Sequence, residues 1–177
     1  SAVVAALFNV TDSAVLKRVL FISLAAIDFL VVKPLLTPDD AALHTLRVEF
    51  LDVGQGDAAL IEFPTGEKFL VDAGPKTLTY DAGEKVLAPY LRRRDISALD
   101  AIVISHPHSD HLGGVPNLLR NIEVTEMVDA GQRAQSSLYY DYDFVSSGRR
   151  RAVFAGMPLA SISNVRLYTM HPSNFFL

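Results

Sequence analysis

The sequence predicts a mixed α/β domain behind a hydrophobic front segment, and three observations carry that prediction. Between residues 46 and 72 three short apolar runs are separated by Gly- and Pro-containing turns, the pattern of antiparallel hairpins. After residue 86, β-branched runs alternate with stretches of helical spacing, the pattern of strand–loop–helix units. Half of the 177 residues are apolar, enough for one domain with a core, and there is no cysteine. Disulfides and thiolate metal ligands are therefore excluded, and any metal must be held by nitrogen and oxygen. A net charge of −4 gives no global basic field for nucleic acid.

The front comes first. Residues 1–10 are apolar and do not begin with Met, so they read as the tail of an earlier hydrophobic helix. Lys17 and Arg18 then precede a run from Val19 to Val32 broken only by Ser23 and Asp28. A membrane span needs ~20 apolar residues, and basic residues mark its cytoplasmic flank. Residues 14–36 are therefore expected to form a marginal transmembrane helix, with Lys33 snorkelling near its far end. Asp28 opposes this, since a mid-membrane carboxylate costs roughly 2.5–3.5 kcal/mol on insertion scales. The alternative is an amphipathic or buried helix packed on the domain. No small-residue cleavage site follows, which argues against a signal peptide. Thr37-Pro38-Asp39-Asp40 is a polar break. Residues 1–44 are thus taken as segment plus linker, and 45–177 as the domain. His44 precedes the domain and is expected to be exposed.

Leu46, Val48 and Phe50 alternate with Arg47, Glu49 and Leu51 and predict the first strand. Asp52-Val53-Gly54-Gln55-Gly56-Asp57 follows, its two glycines permitting a tight turn. Ala58 to Phe63 is the second strand, Pro64-Thr65-Gly66-Glu67 a hairpin turn, and Phe69-Leu70-Val71-Asp72 the third strand. Val86, Leu87, Tyr90 and Leu91 have helical spacing, with Pro89 tolerable in a first turn and Arg92-Arg93-Arg94 at the negative end. Ala101 to Ser105 reads as a buried strand. A short helix is expected around Val115–Asn121 and a strand over Val124–Val128. Ser136 is placed to cap a helix carrying Leu138, Tyr139, Tyr142 and Phe144. Strands near Ala152–Phe154 and Val165–Met170 complete the pattern.

Chemistry concentrates in His106-Pro107-His108-Ser109-Asp110-His111, which holds three of the five histidines. Imidazole nitrogen is the commonest protein metal ligand, and carboxylate oxygen accompanies it on zinc. The stretch leaves a strand and enters Leu112-Gly113-Gly114, a rigid place to aim side chains at one point. His106 and His108 share a side in extended backbone, and Asp110 and His111 can turn to a second point nearby. That arrangement suits two metal ions sharing a hydrolytic water, which lie roughly 3.5–4 Å apart in two-metal sites.

These residues match the HxHxDH motif of the metallo-β-lactamase superfamily. Asp72-Ala73-Gly74 resembles the acidic strand end that supports its metal loop. Leu51-Asp52-Val53-Gly54-Gln55-Gly56-Asp57-Ala58, Val86 to Arg94 and Leu167-Tyr168-Thr169-Met170-His171-Pro172 are similar to the hydrolase domain of ComEC-type competence proteins, the inner-membrane channel for DNA uptake. The resemblance covers about residues 45–174. Secreted phosphorylcholine esterases share much of the GQGD opening. The implied fold is the αββα sandwich, here its first half, because the superfamily's bridging Asp and final His would follow residue 177.

By resemblance His106 and His108 bind one metal and Asp110 and His111 a second, Zn or alternatively Mn. Asp110 is also expected to orient the attacking water. Asp72 would hydrogen-bond a ligand histidine, the alternative being a turn-stabilising role; Asp57 has the same two readings. His171 is a weaker candidate ligand, with a strand terminus as its alternative. Arg149-Arg150-Arg151 reads as a solvated basic turn, with phosphate binding as the alternative. Tyr139, Tyr140, Tyr142 and Phe144 read as core rather than as a stacking platform for bases.

The resemblance implies a membrane-tethered dinuclear phosphodiesterase. Its expected place is the extracytoplasmic side of a bacterial inner membrane, acting on single-stranded DNA beside other competence machinery. The alternatives are the same chemistry on another phosphoester, such as a choline phosphate, or a non-catalytic DNA-guiding module. The stretch alone is expected to be inactive.

Overall fold

The computed structural model describes residues 14–27 and 45–172. The chain divides into two units, Ser1–Ala42 and Leu43–Leu177. Within the first, helix α1 runs Ala14–Ile27 and exposes Val19, Phe21, Ile22 and Ile27. The rest of the expected span, residues 28–36, and the linker with His44 lie outside the described residues. Among the described residues no helix is long and apolar enough to cross a membrane.

The second unit is built on a six-stranded mixed sheet in sequential order: β1 Arg47–Phe50, β2 Ala59–Glu62, β3 Lys68–Val71, β4 Ala98–Val103, β5 Glu123–Asp129 and β6 Arg150–Ala152. β1, β2 and β3 pair antiparallel, as two short turns require, while β3 to β6 pair parallel. Parallel pairing needs crossovers. A π-helical turn, Gly83–Leu87, running into α2, Ala88–Arg93, supplies the first. Short helix α3, Ser109–Leu112, and α4, Val115–Asn121, supply the second, and α5, Ser137–Ser146, the third. The predicted cap on α5 is present, with Ser136 Oγ accepting from the Tyr139 amide at 3.1 Å.

Strand alternation gives the sheet two working faces. Leu60, Leu70 and Ile102 point to the helices and join Leu87, Leu91, Leu112, Leu118 and Met127 in the main core. Phe69 and Ala101 point the other way and join Phe63 in a smaller cluster. That cluster is covered by a hairpin of β7, Pro158–Ile162, and β8, Val165–Tyr168, through Ala160, Ile162, Val165 and Leu167. β7 has no strand signal of its own in the sequence; its pairing with β8 defines it. On the same face, at the sheet edge, Val48 and Phe50 stay exposed.

Two sequence readings are corrected here. Arg149-Arg150-Arg151 is not a solvated turn, because Arg150 and Arg151 form β6. Arg151 pairs with Glu126 of β5 at 2.6 Å, and Arg150 with Asp129 at 2.7 Å. Parallel pairing places these acids beside the arginines, a proximity invisible to local sequence. The α5 aromatics are also split: Tyr139 and Tyr142 are buried, whereas Tyr140 and Phe144 are 62% and 82% exposed. Residues i and i+3 share the inner stripe, and their i+1 and i+5 neighbours fall outside it.

The sheet's parallel half is drawn tightly to the loop after β4 by glycine. A Cβ on Gly114 would meet Ala73 O at 2.4 Å and Gly83 N at 2.6 Å. The second glycine of Gly113-Gly114 is therefore required by a backbone crossing, and this crossing holds the His-rich loop against the end of β3.

Candidate metal centre and active site

Parallel strands β3 and β4 end side by side, and the residue that follows each end builds the site. After β3 the chain turns at Asp72, whose φ is +56°. Its amide donates to Val103 O at 2.8 Å, and its buried carboxylate faces the loop after β4. There Asp72 Oδ1 accepts from the Ser105 amide at 2.8 Å, and Oδ2 accepts from Ser105 Oγ at 2.7 Å. Asp72 Oδ2 also lies 2.9 Å from His111 Nδ1. A carboxylate there fixes the proton on Nδ1 and turns the Nε2 lone pair outward, the arrangement that prepares an imidazole to bind a cation.

The three histidine rings gather at this point. His106 lies 4.6 Å from His108 and 4.0 Å from His111 between ring centroids. Ser105 Oγ sits 3.0 Å from His106 Nδ1. Burial lowers the His106 pKa, and the neighbouring His111 and His108 reinforce the shift, so its ring is held as neutral imidazole. Asp110 is half-exposed, with Oδ2 3.7 Å from His111 Nε2.

Short backbone bonds set the loop's shape. His108 N donates to His106 O at 3.0 Å, and Leu112 N to His108 O at 3.0 Å, which opens α3. Ala73 N donates to His111 O at 2.6 Å. The Gly54-Gln55-Gly56-Asp57 turn braces the other side, since Asp57 N donates to Asp110 O at 3.4 Å. Gly56, at φ +146°, is where that turn meets α3; a Cβ there would sit 2.2 Å from Asp110 O. Asp57 thus stitches the turn through its backbone, while its exposed carboxylate lies 3.7 Å from His111 Nδ1.

The structure therefore brings His106, His108, His111 and Asp72 into one cluster, with Asp110 at its edge and Asp57 beside it. His171 lines the same open cleft of about 800 Å³ as His106 and His108, held there by Ala155 N donating to Pro172 O at 2.9 Å. Ser105, which links Asp72 to His106, is the residue of this cluster that the sequence reading passed over. Its signal was available: a hydroxyl between a buried strand and the first histidine, opposite an acidic strand end.

The donor chemistry fits divalent metal. Three imidazoles converge, one is oriented by a carboxylate, and a second carboxylate stands by. Among the described residues, however, no group of three or more His, Asp or Glu side chains closes round one point. The division into a His106/His108 pair and an Asp110/His111 pair is not visible as two separate clusters, because His106 lies nearer His111 than His108. Asp72→Asn keeps the shape but loses the charge that orients His111. Removing such an outer partner costs roughly 10–100-fold in metal affinity, so Zn²⁺ titration by calorimetry should show weaker binding by that factor. Unchanged affinity would leave Asp72 as a turn residue only.

Comparison with known proteins agrees with this picture. A family model described as the metallo-β-lactamase superfamily matches residues 51–156. ComE operon protein 3 of Bacillus subtilis is 34% identical over 95 residues, covering 46% of this chain and 12% of that protein. Recombination protein 2 of Haemophilus influenzae is 32% identical over 105 residues, covering 59% and 13%. Atrochrysone carboxyl ACP thioesterase of Emericella nidulans is 41% identical over 58 residues, covering 29% and 19%. The chain spans about an eighth of the length of the first two relatives.

Proposed function

The chain belongs to the metallo-β-lactamase superfamily, and from that premise we propose that it is the hydrolase domain of a DNA-uptake protein and cleaves phosphodiesters in single-stranded DNA. The observation that carries the reading is the cluster of His106, His108 and His111, in which Asp72 holds His111 and in which His106 and His108 line an open cleft beside the end of β4. Similarity to ComE operon protein 3 and Recombination protein 2 supports the DNA-uptake setting.

In this proposal His106, His108, Asp110 and His111 would hold two divalent ions, Zn²⁺ or alternatively Mn²⁺. Such ions lower the pKa of water and neutralise charge on a phosphoryl oxygen. Asp72 keeps His111 in the tautomer that presents Nε2. Asp110, at the edge of the cluster, would be one of those ligands and would also orient the attacking water. His171, which lines the same cleft as His106 and His108, is a further candidate ligand. The domain sits on the extracytoplasmic side of a bacterial inner membrane, tethered through residues 14–36 and adjacent to other uptake components.

A DNA-guiding module without catalysis is the second reading, and the open geometry favours it: among the described residues no three donors close on one point. A catalytic zinc ordinarily takes three protein ligands, so the 177-residue stretch alone is expected to be inactive. The test uses the full product of the gene beside this stretch, with Zn²⁺ or Mn²⁺ against EDTA. Substrates are an end-labelled single-stranded oligonucleotide, bis(p-nitrophenyl) phosphate and p-nitrophenylphosphorylcholine. Metal-dependent cleavage of the oligonucleotide and the dye diester by the full product is the expected result. Binding of the oligonucleotide without cleavage selects the guiding module, and turnover of the choline ester alone moves the substrate class.

A further inference from the structure

The cleft beside the histidines has a second wall. It is the loop after β5, where Gly131, Gln132, Arg133 and Ala134 face His106, His108 and His171. Three features of that wall point the same way.

The first is charge. The residues lining the cleft include three histidines and one arginine but no Asp or Glu. In a chain of net charge −4, a cleft lined by a guanidinium and by no carboxylate suits an anion. The second is availability. Arg150 and Arg151, on the strand that follows, are committed to carboxylates. Among the described residues Arg133 is exposed and has no carboxylate partner. The third is that the loop is pinned from below by buried groups. Asp129 Oδ1 accepts from the Gly131 amide at 2.8 Å, and Gln132 O accepts from Tyr139 Oη at 3.2 Å. Gly131, at φ +70°, makes the turn between them. Two anchors on the residues just before Arg133 give its backbone a fixed position, so the guanidinium searches the cleft from a rigid root.

We propose that Arg133 binds the non-reacting oxygens of the substrate's phosphodiester anion and so sets the preference of this site for phosphate esters. The inference rests on the phosphodiesterase reading above. A guanidinium offers two parallel N–H donors to one phosphate, a match that an ammonium makes only as a point charge. Arg133 is thus a substrate-binding residue, while Asp129 and Tyr139 position it.

The experiment uses the full product of the gene carrying Arg133→Ala, Arg133→Lys or, as a charge control on the exposed face of α2, Arg92→Ala. Hydrogen bonds to charged groups carry enough free energy that Arg133→Ala should raise KM for bis(p-nitrophenyl) phosphate about 10–100-fold, with kcat little changed and Arg133→Lys recovering part of the loss. In parallel, binding of a single-stranded oligonucleotide is titrated against salt in EDTA. Loss of one phosphate contact should make the slope of log K against log salt shallower by about 0.7. p-Nitrophenylphosphorylcholine run beside the oligonucleotide shows which phosphodiester source depends more on Arg133. Unchanged KM and slope in Arg133→Ala, or the same changes in Arg92→Ala, overturn the assignment. If the unsubstituted protein cleaves no diester, the proposed activity falls, and the salt slope alone then decides Arg133. Melting temperature within about 2 °C of the parent excludes a fold effect, as expected for an exposed side chain.

Discussion

His106→Ala in the full product of the gene should abolish metal-dependent phosphodiester cleavage. His106 is central to the cluster, with its ring 4.0 Å from His111 and 4.6 Å from His108. Its pKa is lowered by burial first, so the side chain stands ready as a neutral donor without giving up a proton. Alanine removes that nitrogen and leaves a gap between the two remaining rings. Loss of an outer partner costs roughly 10–100-fold in affinity or activity, and loss of a ligand should exceed it, to more than about 10³-fold in kcat/KM. Zn²⁺ stoichiometry by calorimetry should fall together with the rate. His106 is half-buried but lies in a loop, so the melting temperature in EDTA should move little. Turnover within tenfold of the parent at saturating metal would remove His106 from the ligand set. Stoichiometry that stays constant while turnover disappears would give it a role in proton transfer instead.

The parts of the fold that were legible in the sequence are those governed by local pattern. Val48 and Phe50, Leu60, and Phe69 with Leu70 announce strands because a two-residue period is a property of neighbours. Ser136 announces α5 because a cap is satisfied three residues away. His106, His108, Asp110 and His111 were legible as a group because they are consecutive, and Asp72 because an acid ends an apolar run. What was not legible depended on partners distant in the chain. The pairing of Arg151 with Glu126 exists only because β6 lies parallel to β5. Arg94, taken as a helix-terminal cation, reaches Glu49 and Glu62 on β1 and β2 at 2.6 and 2.7 Å. Arg133 carried no signal at all, since its meaning comes from a cleft that two separate strand ends create.

The histidine loop and the Arg133 loop are therefore supported differently. The first is braced by backbone crossings at Gly56 and Gly114. The second hangs on a polar network under α5, and that network is where a single change should cost the most stability. Asp129 is buried at the end of β5. Its Oδ2 accepts from Tyr142 Oη at 2.6 Å and from Arg150 Nε at 2.9 Å, while Oδ1 holds the Gly131 amide. The Arg150 guanidinium also lies over the Tyr142 ring, 5.0 Å from its centroid. Burial above all, and then the Asp129 charge, push the Tyr142 hydroxyl far above its usual pKa, so it remains a donor at any working pH.

Asp129→Ala should strip all of these groups at once. The Tyr142 hydroxyl would be left buried without an acceptor, a cost of about 1–3 kcal/mol. Breaking a buried ion pair by removing one partner costs about 3–5 kcal/mol, but Arg150 keeps Asp143 and part of its solvent contact, so the lower end applies. A net loss of about 3 kcal/mol corresponds to roughly a hundredfold faster amide exchange in β5 and β6, readable by mass spectrometry on the full product of the gene. Tyr142→Phe removes only the hydroxyl and should cost about 1 kcal/mol. Asp129→Leu with Arg150→Met, which replaces the charges by apolar groups, should recover much of the loss. Because Asp129 also holds Gly131, Asp129→Ala should raise KM for the dye diester at a temperature where the protein is still folded. Unchanged exchange in β5 and β6 in Asp129→Ala would show that the network does not carry this end of the sheet. Faster exchange with KM unchanged would separate the stability of the sheet from the placement of Arg133.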